Sequence, residues 1–227
     1  MSTERDAPVR RPGRPRLDEG GGEVRERLLD AAMELAVEQG FDASGLREIA
    51  ARADVSAGMI AYYFGDRTGL HEAMFRRVLN RVTEQVRSLV AQERSGGETS
   101  RLEDLVRIHV SALAADPWLA KLIARDLLAP ADSALRNRLA DRFEGGPIEL
   151  IERWIAEEQA QGVVRRDLDP RLLAISIASL SAFPYLMLPL VGEHLGLELD
   201  EAFAARLIDH NQKILTDGIR ARSEDGE

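Results

Sequence analysis

Apolar residues recur every three or four positions through most of this chain, the spacing of one face of an α-helix. From Glu23 to Gln39, Val24, Leu28, Ala31, Ala32 and Leu35 share a face, and Gly40 closes the segment. Leu46, Ile49, Ala50 and Ala53 make a second, shorter pattern that Ser44 is placed to cap. Asp54 interrupts it, Val55 turns inward, and Ser56 offers the cap of a third segment in which Ile60 and Phe64 lie four apart. Thr68 is placed to cap a long helix from Gly69 to about Glu93, with Leu70, Met74, Val78, Val82, Val86 and Leu89 in one stripe. Ser95-Gly96-Gly97 then breaks the chain.

Every later segment also reads as helix. Leu102 to Ala115 comes first, and Asp116-Pro117 restarts the chain at a natural N1 proline before Trp118 to Leu128. Ser133 to Gln161 follows, with a candidate break at Gly145-Gly146-Pro147, and Glu201 to Arg220 is a final amphipathic helix. Residues 172–192 carry no charge and are long enough to raise the question of a membrane span. Pro184, Pro189 and three serines lie inside that stretch and no second apolar segment accompanies it, so a helix buried in an interface is the better reading. Ala174, Ala178 and Ala182 give it one small face that a second helix could approach closely, with Leu172, Ile175, Leu180 and Phe203 supplying apolar area.

The second and third helices, about two turns each around a short turn, carry the helix-turn-helix signature. Ala57, Gly58, Met59, Tyr62 and Tyr63 make the outer side of the third helix small or aromatic, which lets it press into a groove. Here the stretch resembles the DNA-binding domain of the tetracycline-repressor (TetR) family. The matches are Gly40-Phe41, Ser44, Leu46, Glu48-Ile49-Ala50, Ala53, Val55-Ser56, Gly58, Tyr63-Phe64 and Leu70. Asp54 stands where the family usually has Gly, Ala61 where a phosphate-contacting Tyr is common, and Arg67 where Lys is usual.

The resemblance implies an all-α chain in four parts: a disordered basic arm (1–20), a three-helix DNA-binding domain (21–81), a helical ligand-binding and dimerisation domain (82–221) and a disordered tail (222–227). It implies a homodimer that holds two recognition helices about 34–36 Å apart on a palindromic double-stranded operator. DNA contacts are expected from Ser44, Arg47, Ser56, Ala57, Gly58, Met59, Tyr62, Tyr63 and Arg67, with Arg47 at the groove edge and Arg67 on phosphate. The middle helices are expected to enclose a pocket for an unidentified small-molecule effector. His109, Trp118, Ile123, Trp154, Phe183, Tyr185 and Met187 are its candidate lining, apolar surfaces with a few polar tips.

Net charge is −9 over 227 residues, but residues 1–90 carry only −1 of it, so the acidic excess lies away from the helix-turn-helix. Arg10, Arg11, Arg14 and Arg16 crowd one polar segment whose Gly13-Arg14-Pro15 centre is similar to an AT-hook. Arginines on a flexible strand can follow a narrow minor groove, which places Arg14 and Arg16 among the DNA-contact candidates; the alternative reading is a solubilising tail. The chain has no cysteine, which excludes disulfides and thiolate chemistry and fits a reducing cytoplasm. No apolar run near the start resembles a secretory signal. His71, His109, His194 and His210 are far apart, and no nucleophile elbow, phosphate loop or dinucleotide fingerprint is present. An enzyme, a metal site and a cofactor are therefore not expected. The rival is a helical adaptor that has lost DNA binding, supported by Ala61 and Asp54 alone. Removal of residues 1–20 is expected to lower operator affinity, most for A·T-rich flanks, and to leave assembly unchanged; gel-shift titration with sedimentation checks both.

Overall fold

The structure, a computed structural model, describes residues 21–40, 42–91, 100–128 and 146–219. Over these residues the chain is all-α. The helices are α1 (Gly21–Gln39), α2 (Leu46–Arg52), α3 (Gly58–Phe64), α4 (Arg67–Ala91), α5 (Ser100–Ala115), α6 (Trp118–Leu127), α7 (Pro147–Ala160), α8 (Pro170–Leu195) and α9 (Phe203–Ile219). The expected arm, the tail, Phe41, the break at Ser95-Gly96-Gly97 and the segment from Ser133 to Gly145 lie outside the described residues.

Periodicity placed these helices because each apolar stripe found a core to face. In α4, Leu70, Met74, Val78, Val82, Val86 and Leu89 are all buried. The helix packs against α1 and α3 at one end and against α5 and α7 along the rest, so it crosses the expected division at residue 81. In α1, Leu28, Leu29 and Leu35 are buried, and in α7 Ile151, Trp154 and Ile155. Helix α8 packs on α5, α6, α7 and α9, and α9 packs on α5.

Helix ends depart from the expected caps. Gly45, not Ser44, is the N-cap of α2; Ala57, not Ser56, is the N-cap of α3; neither makes a side-chain cap bond. The first turn of α4 is capped by Asp66, whose Oδ1 accepts from the Gly69 amide at 2.8 Å, not by Thr68. The helix thus begins two residues earlier than the pattern suggested. Gly69 is fixed by a close approach: a Cβ there would lie 1.9 Å from the Phe64 carbonyl oxygen, inside any contact distance.

Two prolines sit inside α8. Proline has no N–H, so Pro184 leaves the Leu180 carbonyl without its helical donor. Asn211 of α9, itself 1% exposed, donates its Nδ2 to that carbonyl at 3.0 Å. A buried amide in an otherwise apolar helix pair is thereby satisfied, and α8 is pinned in register to α9.

Asp66→Ala should cost about 1 kcal/mol through loss of the cap, and Thr68→Ala less than about 0.5 kcal/mol. Gly69→Ala should cost about 1–3 kcal/mol, because α3 must move off α4. Urea unfolding of the three variants checks the order.

Candidate nucleic-acid interface and effector cavity

The turn between α2 and α3 decides where α3 points. Asp54 has φ 53°, the left-handed region, at the position where the TetR pattern carries Gly. Asp is among the few non-glycine residues that enter this region readily, so the departure preserves the turn. The amides of Asp54 and Val55 donate to the carbonyls of Ala51 and Ala50 at 3.1 and 3.0 Å, which reverses the chain at once.

Helices this short are not stable alone and take their geometry from neighbours. Arg52 of α2 forks onto Glu38 of α1 at 2.9 and 3.0 Å, and Gln39 donates to Glu48 at 2.9 Å. The Arg52–Glu38 bond holds that carboxyl below the usual carboxylate range. In α3, Ile60 is buried, and Met59, Tyr63 and Phe64 are partly buried against the core. The Arg25 guanidinium lies 5.4 Å from the Phe64 ring centroid, which joins α1 to α3.

What remains outward is small and has one large aromatic. Arg47, Ser56, Ala57, Gly58, Ala61 and Tyr62 are exposed. Tyr62, 59% exposed, stands edge-on to Tyr63 with centroids 5.0 Å apart, so its ring is braced as it projects. Ser44 is buried, and its Oγ has no hydrogen-bond partner among the described residues; Met59 and Tyr63 are partly buried against the core. Arg67 is half-buried and donates to the Asp42 carbonyl at 3.0 Å and to His71 Nε2 at 3.4 Å. Burial first, then the charges of Arg125 and Arg67, push the His71 pKa down to about 4, so the ring is neutral in ordinary conditions. Arg14 and Arg16 lie outside the described residues.

A second feature lies some helical turns along α4. A cavity of about 120 Å³, partly open to solvent, lies among five helices. From α4 come Phe75, Val78, Leu79 and Val82; from α5, His109, Ala112 and Leu113. Leu119 and Ile123 of α6, Pro147 and Ile148 of α7, and Ala178 and Ala182 of α8 complete the wall. His109 Nδ1 lies 3.0 Å from the Leu105 carbonyl; a carbonyl only accepts, so Nδ1 carries the hydrogen. Burial lowers the His109 pKa, with the bond to Leu105 opposing the shift.

Of the seven expected effector contacts, the structure brings His109 and Ile123 to this wall. Trp118 is core, and its Nε1 donates to Asp116 at 3.2 Å. Trp154 is core, and Tyr185 packs edge-on against Phe203 at 5.5 Å. Phe183 is 58% exposed and Met187, four residues on, lies on the same side of α8, away from Ala178 and Ala182. On the small face of α8, Ala174 is fully buried and Ala178 and Ala182 line the cavity. Leu172, Ile175, Phe183 and Leu190 form the exposed stripe instead. By length and composition α8 could cross a membrane, and only 28% of its most apolar stretch is buried within the chain. The expected interface helix is therefore open along one side.

Periodicity missed an ion pair. Arg81 of α4 meets the buried Asp116 at 2.6 Å, 35 residues away in sequence, and no local pattern couples the two. The cavity-facing row Phe75, Val78, Leu79 and Val82 did carry a signal, since its spacing repeats the helical period beside the stripe already noted.

Residues 28–74 match the family model for bacterial regulatory proteins of the tetR family, and residues 99–220 match the tetracyclin repressor-like C-terminal domain. The chain belongs to the TetR family. It is a helix-turn-helix transcriptional regulator with a helical C-terminal domain. Its relatives include the HTH-type transcriptional regulator BetI of Escherichia coli (strain K12), 30% identical over 142 residues, which span 60% of this chain and 72% of BetI. Thermus thermophilus FadR, a TetR-family repressor solved in complex with lauroyl-CoA, has a TM-score of 0.59 at 27% identity, covering 89% of this chain and 98% of FadR. Bacillus subtilis FadR with stearoyl-CoA shares the fold, with a TM-score of 0.65 at 23% identity over 86% of this chain and 99% of that one.

For a TetR-family surface of this shape, Arg47→Ala should reduce DNA binding with no loss of stability, because Arg47 is exposed. Arg67→Ala should weaken binding to all DNA, lower the salt slope by about one, and also lower Tm, because Arg67 ties the start of α4 to Asp42. Salt-titrated binding with thermal unfolding of both variants separates the two roles.

Proposed function

We propose that this regulator is an effector-responsive repressor that acts in the cytoplasm as a homodimer on a palindromic operator. One observation carries the reading: a single helix, α4, lines the cavity with Phe75, Val78, Leu79 and Val82 and meets the recognition helix α3 at Gly69. A molecule that enters the cavity pushes on α4, and α4 moves α3. Arg81 and Asp116 join α4 to the corner before α6, so a shift of α6 reaches α4 as well. Two states with different α3 spacing, one favoured by the effector, are enough for regulation.

The dimer is supported by the exposed stripe on α8. Leu172, Ile175, Phe183 and Leu190 recur at helical spacing on one side, an arrangement a water-exposed helix seldom keeps. A second copy of α8 and α9 related by two-fold symmetry covers it. The hydrocarbon character of the cavity wall and the lauroyl-CoA bound by Thermus thermophilus FadR support an effector with a substantial apolar part. Tyr62, Arg47 and the N-terminal arm are proposed to read the operator, with Ser56, Ala57 and Gly58 close against the backbone.

The test is selection of retained fragments from random DNA, followed by sedimentation of the complex. A palindromic site bound by a dimer is expected; an asymmetric site or no retained sequence overturns the reading. Phe183→Arg should give a folded monomer that loses the operator, since a buried unpaired charge opposes the interface by several kcal/mol. Ala178→Arg should leave the dimer intact, because residue 178 faces the cavity. The reverse pattern would place the interface on the small face of α8.

A further inference from the structure

His109 is the one polar side chain among the described residues that line the cavity, and its protonation is constrained by geometry. The Leu105 carbonyl 3.0 Å away can only accept, so it takes the hydrogen of Nδ1. A neutral ring with its hydrogen on Nδ1 has a bare lone pair on Nε2. Burial keeps the ring neutral, and among the described residues no Asp, Glu, Lys or Arg lines the same wall to offset a charge. Resting on the reading of this cavity as the effector site, we propose that it takes an uncharged, largely hydrocarbon molecule with one hydroxyl-type donor, which hydrogen-bonds His109 Nε2.

The chemistry excludes two near alternatives. A carboxylate would leave water for a wall of hydrocarbon and meet no cation among the described residues there, at a cost that burial of its chain does not recover. A ketone or thioester carbonyl would set its lone pair against that of Nε2. To accept from His109 it must draw the hydrogen to Nε2, which leaves the Leu105 carbonyl facing a second lone pair. A hydroxyl needs neither change. It donates to Nε2, and its carbon chain fills the space between Val78, Leu79, Ile123 and Ala182.

The experiment measures equilibrium binding of 1-decanol, 2-decanone and sodium decanoate to the full chain at pH 8, by calorimetry. These probes have the same number of carbons and differ at the polar end. Wild type is expected to bind 1-decanol about tenfold more tightly than 2-decanone, the worth of one net hydrogen bond, and decanoate not measurably. His109→Phe, which keeps an aromatic ring and removes the acceptor, should bring decanol and decanone within about twofold of each other. Equal affinities in wild type, or tighter binding of decanoate, overturn the proposal without any variant. Ala182→Trp fills the cavity and should abolish binding of all three. If the probes bind equally to wild type and Ala182→Trp blocks them, the cavity stands as the effector site and the hydroxyl reading falls. If Ala182→Trp leaves binding unchanged, or if wild type binds none of the three, both fall.

Discussion

The apolar stripe of α4 belongs to two cores at once, and the rest of the molecule is arranged around that fact. Leu70 and Met74 are buried against α1 and α3; Val82, Val86 and Leu89 are buried among the helices of the C-terminal domain. A helix of 25 residues is about 37 Å long and bends little, so its two ends move together. In the proposed mechanism, displacement at Val82 becomes displacement at Gly69. There the backbone of α3 lies too close for any side chain, and the recognition helix must follow. Coupling between the cavity and the DNA surface needs no chain of side chains when one rigid element touches both.

The short helices of the N-terminal domain show how little holds a reading head in place. α2 and α3 have seven residues each and no side-chain caps. Their positions come from Ile49, Ala50 and Ile60 in the core, from the Arg52–Glu38 fork and from the Arg25–Phe64 contact. Ser44 does not cap, and Met59 and Tyr63 are each partly buried against the core. Tyr62 projects from a surface of Ala57, Gly58 and Ala61, and Asp54 supports it through backbone conformation rather than charge. Ala61 and Asp54, the two departures that spoke for an adaptor, are thus compatible with DNA binding.

In α8 the polar constraint is satisfied from outside the helix. Pro184 frees the Leu180 carbonyl and Asn211 supplies the missing donor, which keeps α8 and α9 in register. The opposite side of α8 has no such arrangement. Leu172, Ile175, Phe183 and Leu190 remain exposed, while the alanines turn toward the cavity. Of the three alanines, Ala174 is packed in the core, and Ala178 and Ala182 leave room for the cavity.

By itself the sequence determined the helical class, the order and approximate extent of the elements, the helix-turn-helix and the family, because these rest on local periodicity and on residues near one another in the chain. It also located the buried stripe of α4 and brought His109 and Ile123 into consideration. Only the tertiary structure decided which side of each helix faced a partner, the cavity or water. Trp118 and Trp154 are large and apolar, as a ligand wall would be, yet they fill the core. Phe183 and Ala182 are adjacent in sequence and about 100° apart around the helix, one outside and one in the cavity. The pairing of Arg81 with Asp116 was hidden for the same reason: the period gives a residue its face, but which helix meets that face is fixed only when the whole chain packs.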